Sequence, residues 1–460
     1  MSAAAGGASR DATAAGPAGS LRAAARRFGT PTYVTSVAAL EMAAAALRDA
    51  FPDPWLRSYS VKANGVPAIV ARLGGTGLGA SVVSSGEWAS ATRAGIPNDR
   101  ITLEGIGKTP SELRAAVRAA VNHHPLRWVA VESEEELGAL VALAARAGLG
   151  QAGRPPIDVL LRLNPDVAPE TQAGLAVGRA SSKFGMSETE LTTSVASLEP
   201  TGPVRARGIH LHVGSQLGAV DAWREAVRRG LAVLALLRSG RDEFDTLDVG
   251  GGFPVGDPGT VPTPARFARE IGPLLGGLPE DRRPARLAVE PGRFLVARSG
   301  WLVASVLHVR ERAEGERIVV LDAGMTELIR PALYGAYHEV TALTSLGRPF
   351  DPGGTPAVER GAPAADQGGP AVRAAPAPAP RVAPLQRARV DGPVCESTDT
   401  FDRHDLPPLR RGDLVAIVDV GAYAASMSMG YNGRPRPPQV LVERDGRLTL
   451  GRHRGSPAAR

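Results

Sequence analysis

Arg57-Ser58-Tyr59-Ser60-Val61-Lys62-Ala63-Asn64 is the stretch from which the rest of the chain is read. It predicts a short strand that ends on a lysine and turns at once into a helix. Lys62 stands out by composition: of 53 Lys and Arg residues only Lys62, Lys108 and Lys183 are lysine. Arginine cannot shed its proton and attack a carbonyl, whereas a lysine amine can. A scarce lysine at a strand end is therefore either a Schiff-base residue or a survivor of coding bias, and this stretch alone leaves both readings open.

Outward from Lys62 a rhythm repeats: short apolar run, turn, amphipathic helix. Strands are expected at 58–62, 78–83, 101–104, 127–131, 158–163, 207–213, 246–249 and 287–290, with helices between them such as 85–94, 110–120, 133–147 and 221–238. Several of these strands are near-continuous apolar runs, as parallel strands buried on both faces are. Eight such units over roughly 250 residues fit a TIM (β/α)8 barrel better than an open doubly wound sheet. No Gly-x-Gly-x-x-Gly follows the first strand, which also weighs against the open sheet.

After Pro291 the pattern changes. Segments 301–309, 317–321, 388–390, 414–420 and 439–442 are strand-like without long helices between them, and 442–449 reads as a hairpin about Asp445-Gly446. The expected organisation is a tail over 1–21, an extended segment over 22–37 pairing with the β domain, the barrel over 38–296, and a mostly β C-terminal domain over 297–460. Residues 347–386, rich in Pro, Ala and Gly, read as a disordered insertion in that domain.

Composition narrows the function. A length of 460 residues suits two domains, and 43% hydrophobic with 22% charged residues is ordinary for a globular protein. The net charge of +6 comes from cations interleaved with acids, which argues against nucleic acid as a partner. The single cysteine, Cys395, excludes an internal disulfide framework and fits a reducing, cytoplasmic setting. No apolar run is long enough to span a membrane, so no membrane partner is expected.

In a barrel of this kind chemistry sits at the C-terminal ends of the strands. Those ends carry Lys62, then His210 and His212 with Ser215, then Gly250-Gly251-Gly252, then Glu290-Pro291-Gly292-Arg293. A glycine triplet admits a phosphate to backbone N–H groups, although alone it is more often just a tight turn. His212 is either a satisfied core histidine or a ring stacked on an aromatic cofactor. Glu290 is either half of an ion pair or a carboxylate that keeps a ring nitrogen protonated. Amine, anion cradle and carboxylate together point to pyridoxal phosphate (PLP), and no metal is called for.

Seven stretches carry a resemblance: YSVKAN (59–64), HLHVGSQ (210–216), DVGGGFP (248–254), EPGRFLVA (290–297), LDAGMTELIRPALYGAYHE (321–339), GPVCEST (392–398) and GAYAASMSMGYNGRPRP (421–437). In these motifs, and in their order, the chain resembles the barrel-type, alanine-racemase-like PLP decarboxylases, and among them the diaminopimelate decarboxylase family. The resemblance implies Lys62 as the PLP lysine, His212 as the stacking imidazole, and Ser215, Gly250–Gly252 and Tyr423 around the phosphate. It implies Glu290, leading Pro291-Gly292-Arg293, on the pyridine nitrogen, and Arg293, Arg330, Tyr334, Glu396 and Tyr423 around the substrate. Cys395 would return a proton to Cα from the second subunit of a homodimer with shared sites. The implied reaction is decarboxylation of meso-2,6-diaminopimelate to L-lysine and CO2, the last step of lysine biosynthesis.

The chain departs from the family pattern in three places. Ser81 stands where an aspartate is usual, Glu104-Gly105-Ile106-Gly107-Lys108 replaces a His-Gly-Asn type sequence, and the 347–386 stretch precedes Cys395. These would suit a related decarboxylase acting on a modified or carrier-bound amino acid. A non-enzymatic PLP-binding regulator and a racemase on the same barrel are the remaining readings. Intact Lys62, Glu290 and Cys395 argue against the regulator, and Cys395-Glu396-Ser397 argues against the racemase.

Overall fold

The computed structural model describes residues 18–151, 153–256, 259–350 and 384–456. Its centre is a closed barrel of eight parallel strands: β2 (Leu56–Ser60), β3 (Gly79–Val82), β4 (Ile101–Leu103), β5 (Trp128–Val131), β6 (Ile157–Arg162), β7 (Val204–His210), β8 (Thr246–Asp248) and β9 (Arg286–Val289). Leu56 pairs with Ala288, which closes the ring. All eight expected strands are present; four are shorter by one or two residues, and four keep their length but start one to three residues earlier, the strand 207–213 shifting most, to Val204–His210. At Lys62, β2 ends at Ser60, and Val61–Ala63 form a single 3-10 turn that carries the lysine.

Each of the eight strands is followed by a helix, the last of them only the short Arg293–Val296, and the helix Val37–Ala50, which precedes the barrel, packs against both Pro67–Gly75 and Pro264–Gly276 to complete the outer layer. The sequence marks many of their starts. Ser84, Thr109, Ser133 and Ser187 each cap a helix whose third residue is a glutamate, and Thr109 with Glu112 and Ser187 with Glu190 form full capping boxes. A cap of this kind stabilises a helix by about 1 kcal/mol. Proline at the first turn opens the helices at Pro67, Pro110 and Pro264.

The second domain is a mixed sheet in the order β16-β15-β11-β10-β1-β18-β19. Here β1 is Thr32–Ser36, β10 Gly300–Glu311, β11 Arg317–Leu321, β15 Gln386–Asp391, β16 Thr400–Leu406, β18 Gln439–Val442 and β19 Leu448–Arg452. Strand Leu414–Ile417 also pairs with β10. β1 runs antiparallel to β10 and parallel to β18, so the N-terminal segment lies inside the C-terminal sheet.

The expectation of a tail to residue 21 and extended backbone over 22–37 needs correction. Ala18–Phe28 is a helix. Leu21, Ala24, Ala25 and Phe28 recur at helical spacing, and this stripe packs against Trp301 and Val303. Only Thr32–Ser36 of that segment is strand, and residues 1–17 lie outside the described residues. The 347–386 stretch falls mostly outside them as well; its ends are ordered, with Arg348–Pro349 paired to Thr344–Ser345 and Gln386 opening β15. Among the described residues no helix is long and apolar enough to cross a membrane.

Candidate active site

A cavity of about 440 Å³ opens at the C-terminal ends of the barrel strands, under the loop Gly421–Ser426 of the β domain. Lys62 lines it. Its neighbours Val61 and Ala63 are fully buried, which anchors the turn while the lysine itself stays exposed to the cavity. Four hydrogen bonds clamp this turn: Tyr59 Oη to the Asn64 carbonyl at 3.0 Å, Asn64 Nδ2 to Gly421 O at 3.0 Å, Tyr423 N to Ala63 O at 2.8 Å, and Ser426 Oγ to Ala63 O at 3.2 Å. Three of the four cross between the domains, so the β domain fixes where the amine points. The other two lysines are spent elsewhere. Lys108 is buried in an ion pair with Glu136 at 2.7 Å, and Lys183 lies over the Phe184 ring.

The wall opposite is cationic and rich in hydrogen-bond donors. Arg293, 7% exposed, donates from Nε and Nη2 to Ser215 Oγ at 3.3 and 3.1 Å, and its guanidinium lies 4.7 Å from the centre of the Tyr423 ring. A buried guanidinium whose hydrogen-bond partner is a neutral hydroxyl is suited to an anion. The glycine loop borders it. A Cβ on Gly251 would stand 2.5 Å from the Glu290 carbonyl oxygen, and Gly252 has φ +97°, so a side chain at either position would distort the loop. Of the triplet and the Glu290–Arg293 segment, Gly252, Glu290, Gly292 and Arg293 line the cavity; Gly250, Gly251 and Pro291 lie behind it.

His212 accepts a hydrogen bond at Nδ1 from the Gly251 N–H at 3.3 Å, which puts its proton on Nε2. Burial, then the charges of Lys62 and Arg162, hold its pKa well below the usual histidine range, so the ring is neutral. Arg330 is held by His338. The Val418 carbonyl can only accept, so His338 Nδ1 donates to it at 2.9 Å, and Nε2 faces Arg330 Nη1 at 2.7 Å as acceptor. Burial, then the neighbouring Arg293, brings Arg330 down to about 10. Two guanidiniums on one cavity wall therefore await negative charge, with Tyr334 beside them.

Cys395 and Glu396 are not among the residues that line this cavity within one chain. Both are exposed, and Glu396 Oε1 accepts from Tyr431 Oη at 2.7 Å. Their loop is rigidly held: buried Asp399 accepts from the N–H groups of Val394 at 2.7 Å and Met325 at 2.5 Å.

Two residues outside the sequence-based site list complete the site: Arg162, which sequence reasoning passed over, and Glu104, which it named only as a departure from the family pattern. Arg162, the last residue of β6, forms a buried ion pair with Glu132 at 2.7 Å and packs over Phe184. Glu104, just past β4, lines the cavity beside His210 and Glu290. Both sit at strand C-termini, where the rule that found Lys62 would have found them. Glu104, His210 and Glu290 each offer one ligand atom within 4.8 Å of the others, a spacing that a divalent ion can also bridge. At Ser81, the first departure from the family pattern, the hydroxyl is buried with no hydrogen-bond partner among the described residues.

Comparison with known proteins places this geometry. Residues 37–297 fit the family described as pyridoxal-dependent decarboxylase, pyridoxal binding domain. The diaminopimelate decarboxylase of Aquifex aeolicus is 34% identical over 437 residues, covering 95% of this chain and 91% of that one. Among solved structures, diaminopimelate decarboxylase from Helicobacter pylori complexed with L-lysine superposes with a TM-score of 0.78 at 28% identity, over 95% of this chain and 97% of that one. The M. jannaschii enzyme in co-complex with L-lysine gives 0.79 at 28% identity, over 95% and 92%.

Proposed function

The chain belongs to the diaminopimelate decarboxylase family of pyridoxal-dependent decarboxylases, and we propose that it converts meso-2,6-diaminopimelate to L-lysine and CO2 with PLP held at the barrel mouth. The observation that carries this reading is the joining of Lys62, the Arg293–Ser215 anion wall and Glu290 in one cavity with a second guanidinium, Arg330. The site fits the cofactor. The glycine loop leaves room that a Cβ would fill, the buried Arg293 donates to the neutral Ser215 hydroxyl, and Lys62 is the one lysine lining the cavity.

When bound, PLP supplies the electron sink that decarboxylation at Cα requires. In this reading Lys62 is its covalent attachment point, and His212, neutral and oriented by the Gly251 N–H, supports one face of its ring. Ser215, the glycine loop, Arg293 and Tyr423 hold its phosphate, and Glu290 faces its ring nitrogen. Arg330, steadied by His338, forks onto a substrate carboxylate, with Tyr334, Arg293, Tyr423 and Glu396 completing the substrate's surroundings. Cys395 delivers the proton to Cα from the second subunit of a homodimer, which accords with its exposure on a rigid loop away from its own chain's cavity. We place the reaction in the cytoplasm, where a lone reduced thiol is maintained.

A CO2-release assay over diaminopimelate, lysine, ornithine and arginine tests the assignment: release should be selective for diaminopimelate, and equal release from ornithine would sink it. Arg330→Ala should lower kcat/KM for diaminopimelate by roughly 10–150-fold, the 1.5–3 kcal/mol of a charge-assisted hydrogen bond. Gly251→Ala should weaken PLP binding by about tenfold or more, because an overpacked methyl costs about 1–3 kcal/mol. Titration of apo-protein with PLP measures this.

One observation favours a second reading. Gly105, Ile106 and Gly107 line the cavity, and Ile106, 39% exposed, also borders the groove between helices Pro110–Val121 and Glu134–Arg146. An apolar rim that continues into a groove suits an amino acid carrying a larger group. Release of CO2 from amide-capped diamino acids, with none from diaminopimelate, would select it.

A further inference from the structure

Buried Thr102 stands between the carboxyl groups of two residues that line the cavity, Glu104 and Glu290. Its Oγ1 lies 3.2 Å from Glu104 Oε1 and 3.2 Å from Glu290 Oε1. One hydroxyl carries one hydrogen, so the second contact is satisfied only when one of the carboxyls is itself protonated and donates. His210, 1% exposed, places Nε2 3.4 Å from Glu290 and 3.7 Å from Glu104, and neither ring nitrogen has a hydrogen-bond partner among the described residues. All three side chains are buried, and two buried carboxylates this close cannot both remain ionised.

We propose that Glu104 is a positioning residue for Glu290: the two carboxyls share one proton and one negative charge, and the pair raises the affinity of the cofactor's ring nitrogen for its proton. This rests on the reading that Glu290 faces that nitrogen. Glu104 is this chain's departure from its family, and the proposal gives the departure a chemical task.

The surroundings agree with that charge state. Burial, then the carboxylates of Asp248 and Glu104, pushes Glu290 well above the usual carboxylate range. Burial also opposes ionisation of Glu104, but His210, the hydrogen bond with Glu290, and the charges of Lys62 and Arg162 outweigh it and hold Glu104 at about 2. Burial keeps His210 down at about 4, hence neutral at pH 7. Asp248 is raised to about 8 by burial and then by Glu104. Glu87 and Arg127 face the cluster from farther out.

The test is to load the protein with PLP labelled with 15N at the ring nitrogen and follow that nitrogen's chemical shift with pH. Burial is the first cause that keeps the proton on Glu290, so Glu104→Gln removes the pair's negative charge while Glu290 stays protonated, and the ring proton should leave about one pH unit lower than in the native protein, a tenfold loss of affinity. Glu104→Asp, which keeps the charge, should track the native protein. If Glu290→Gln shifts the titration and Glu104→Gln does not, the proposal falls and the reading of Glu290 stands. If neither shifts it, both fall. A measurement on native apo-protein covers the case of a variant that does not fold. Infrared spectra at neutral pH should show a protonated carboxyl band that Glu290→Gln removes, and its absence overturns the proposal. So does a stoichiometric divalent ion in the native protein that Glu104→Gln releases.

Discussion

Replacement of Lys62 by alanine should lower kcat/KM for decarboxylation at least about a thousandfold, some 4 kcal/mol of barrier, because the covalent anchor of the cofactor is lost. The effect should be chemical rather than structural. Lys62 is exposed, whereas the turn that carries it is held by buried Val61 and Ala63 and by hydrogen bonds that use backbone and side-chain atoms other than its own. Circular dichroism and the urea midpoint should therefore be nearly unchanged. Lys62→Arg should be as inactive as the alanine variant although it keeps the charge, since a guanidinium does not deprotonate to a nucleophile. Borohydride reduction of the native protein, followed by peptide mapping, should place the cofactor on the peptide that holds Lys62. A label on the peptide of Lys108 or Lys183 instead would overturn the assignment.

The second large effect is expected at Cys395. Removal of a general acid typically costs 10²–10⁴-fold, and Cys395→Ala should fall in about that range. The position of Cys395 makes a stronger test possible. It is exposed on a loop pinned by Asp399 and does not line its own chain's cavity. If it serves the neighbouring subunit, mixing Lys62→Ala with Cys395→Ala protein should restore activity. In a two-fold dimer, random exchange leaves roughly a quarter of the sites with both groups intact. No recovery after exchange, verified by hybrid formation with differently tagged chains, would mean that the site is complete in one chain or that Cys395 has no role.

Much of this fold was legible in the residues. Buried parallel strands need apolar runs and surface helices need caps, and both are local properties of neighbouring residues. The helix Ala18–Phe28 was missed because its apolar stripe is built mainly from alanine, which composition reads as a tail until Trp301 and Val303 are brought against it. Arg162 was passed over, and Glu104 was read only as a departure from the family pattern, because a charged residue beside an apolar run reads as a strand's solvent edge. Only ring closure turns those edges inward to a common centre.

By itself, then, the sequence determined the eightfold barrel and the following β domain, and it put forward Lys62, Ser215 with Arg293, and Glu290 as residues of the proposed cofactor site. Hydrophobic period and side-chain chemistry are written residue by residue, and these features depend on nothing else. Tertiary structure decided what depends on separation through space. It clamps the Lys62 turn from the β domain, gives Arg330 its His338 support, and leaves Cys395 exposed and outside the lining of its own chain's cavity. It also brings Glu104 and Glu290, 186 positions apart in the chain, onto one Thr102 hydroxyl. Proton sharing between two carboxyls falls steeply with distance in a low-dielectric interior, and a distance of that kind is created only when the closed barrel turns the ends of its third and eighth strands toward one centre.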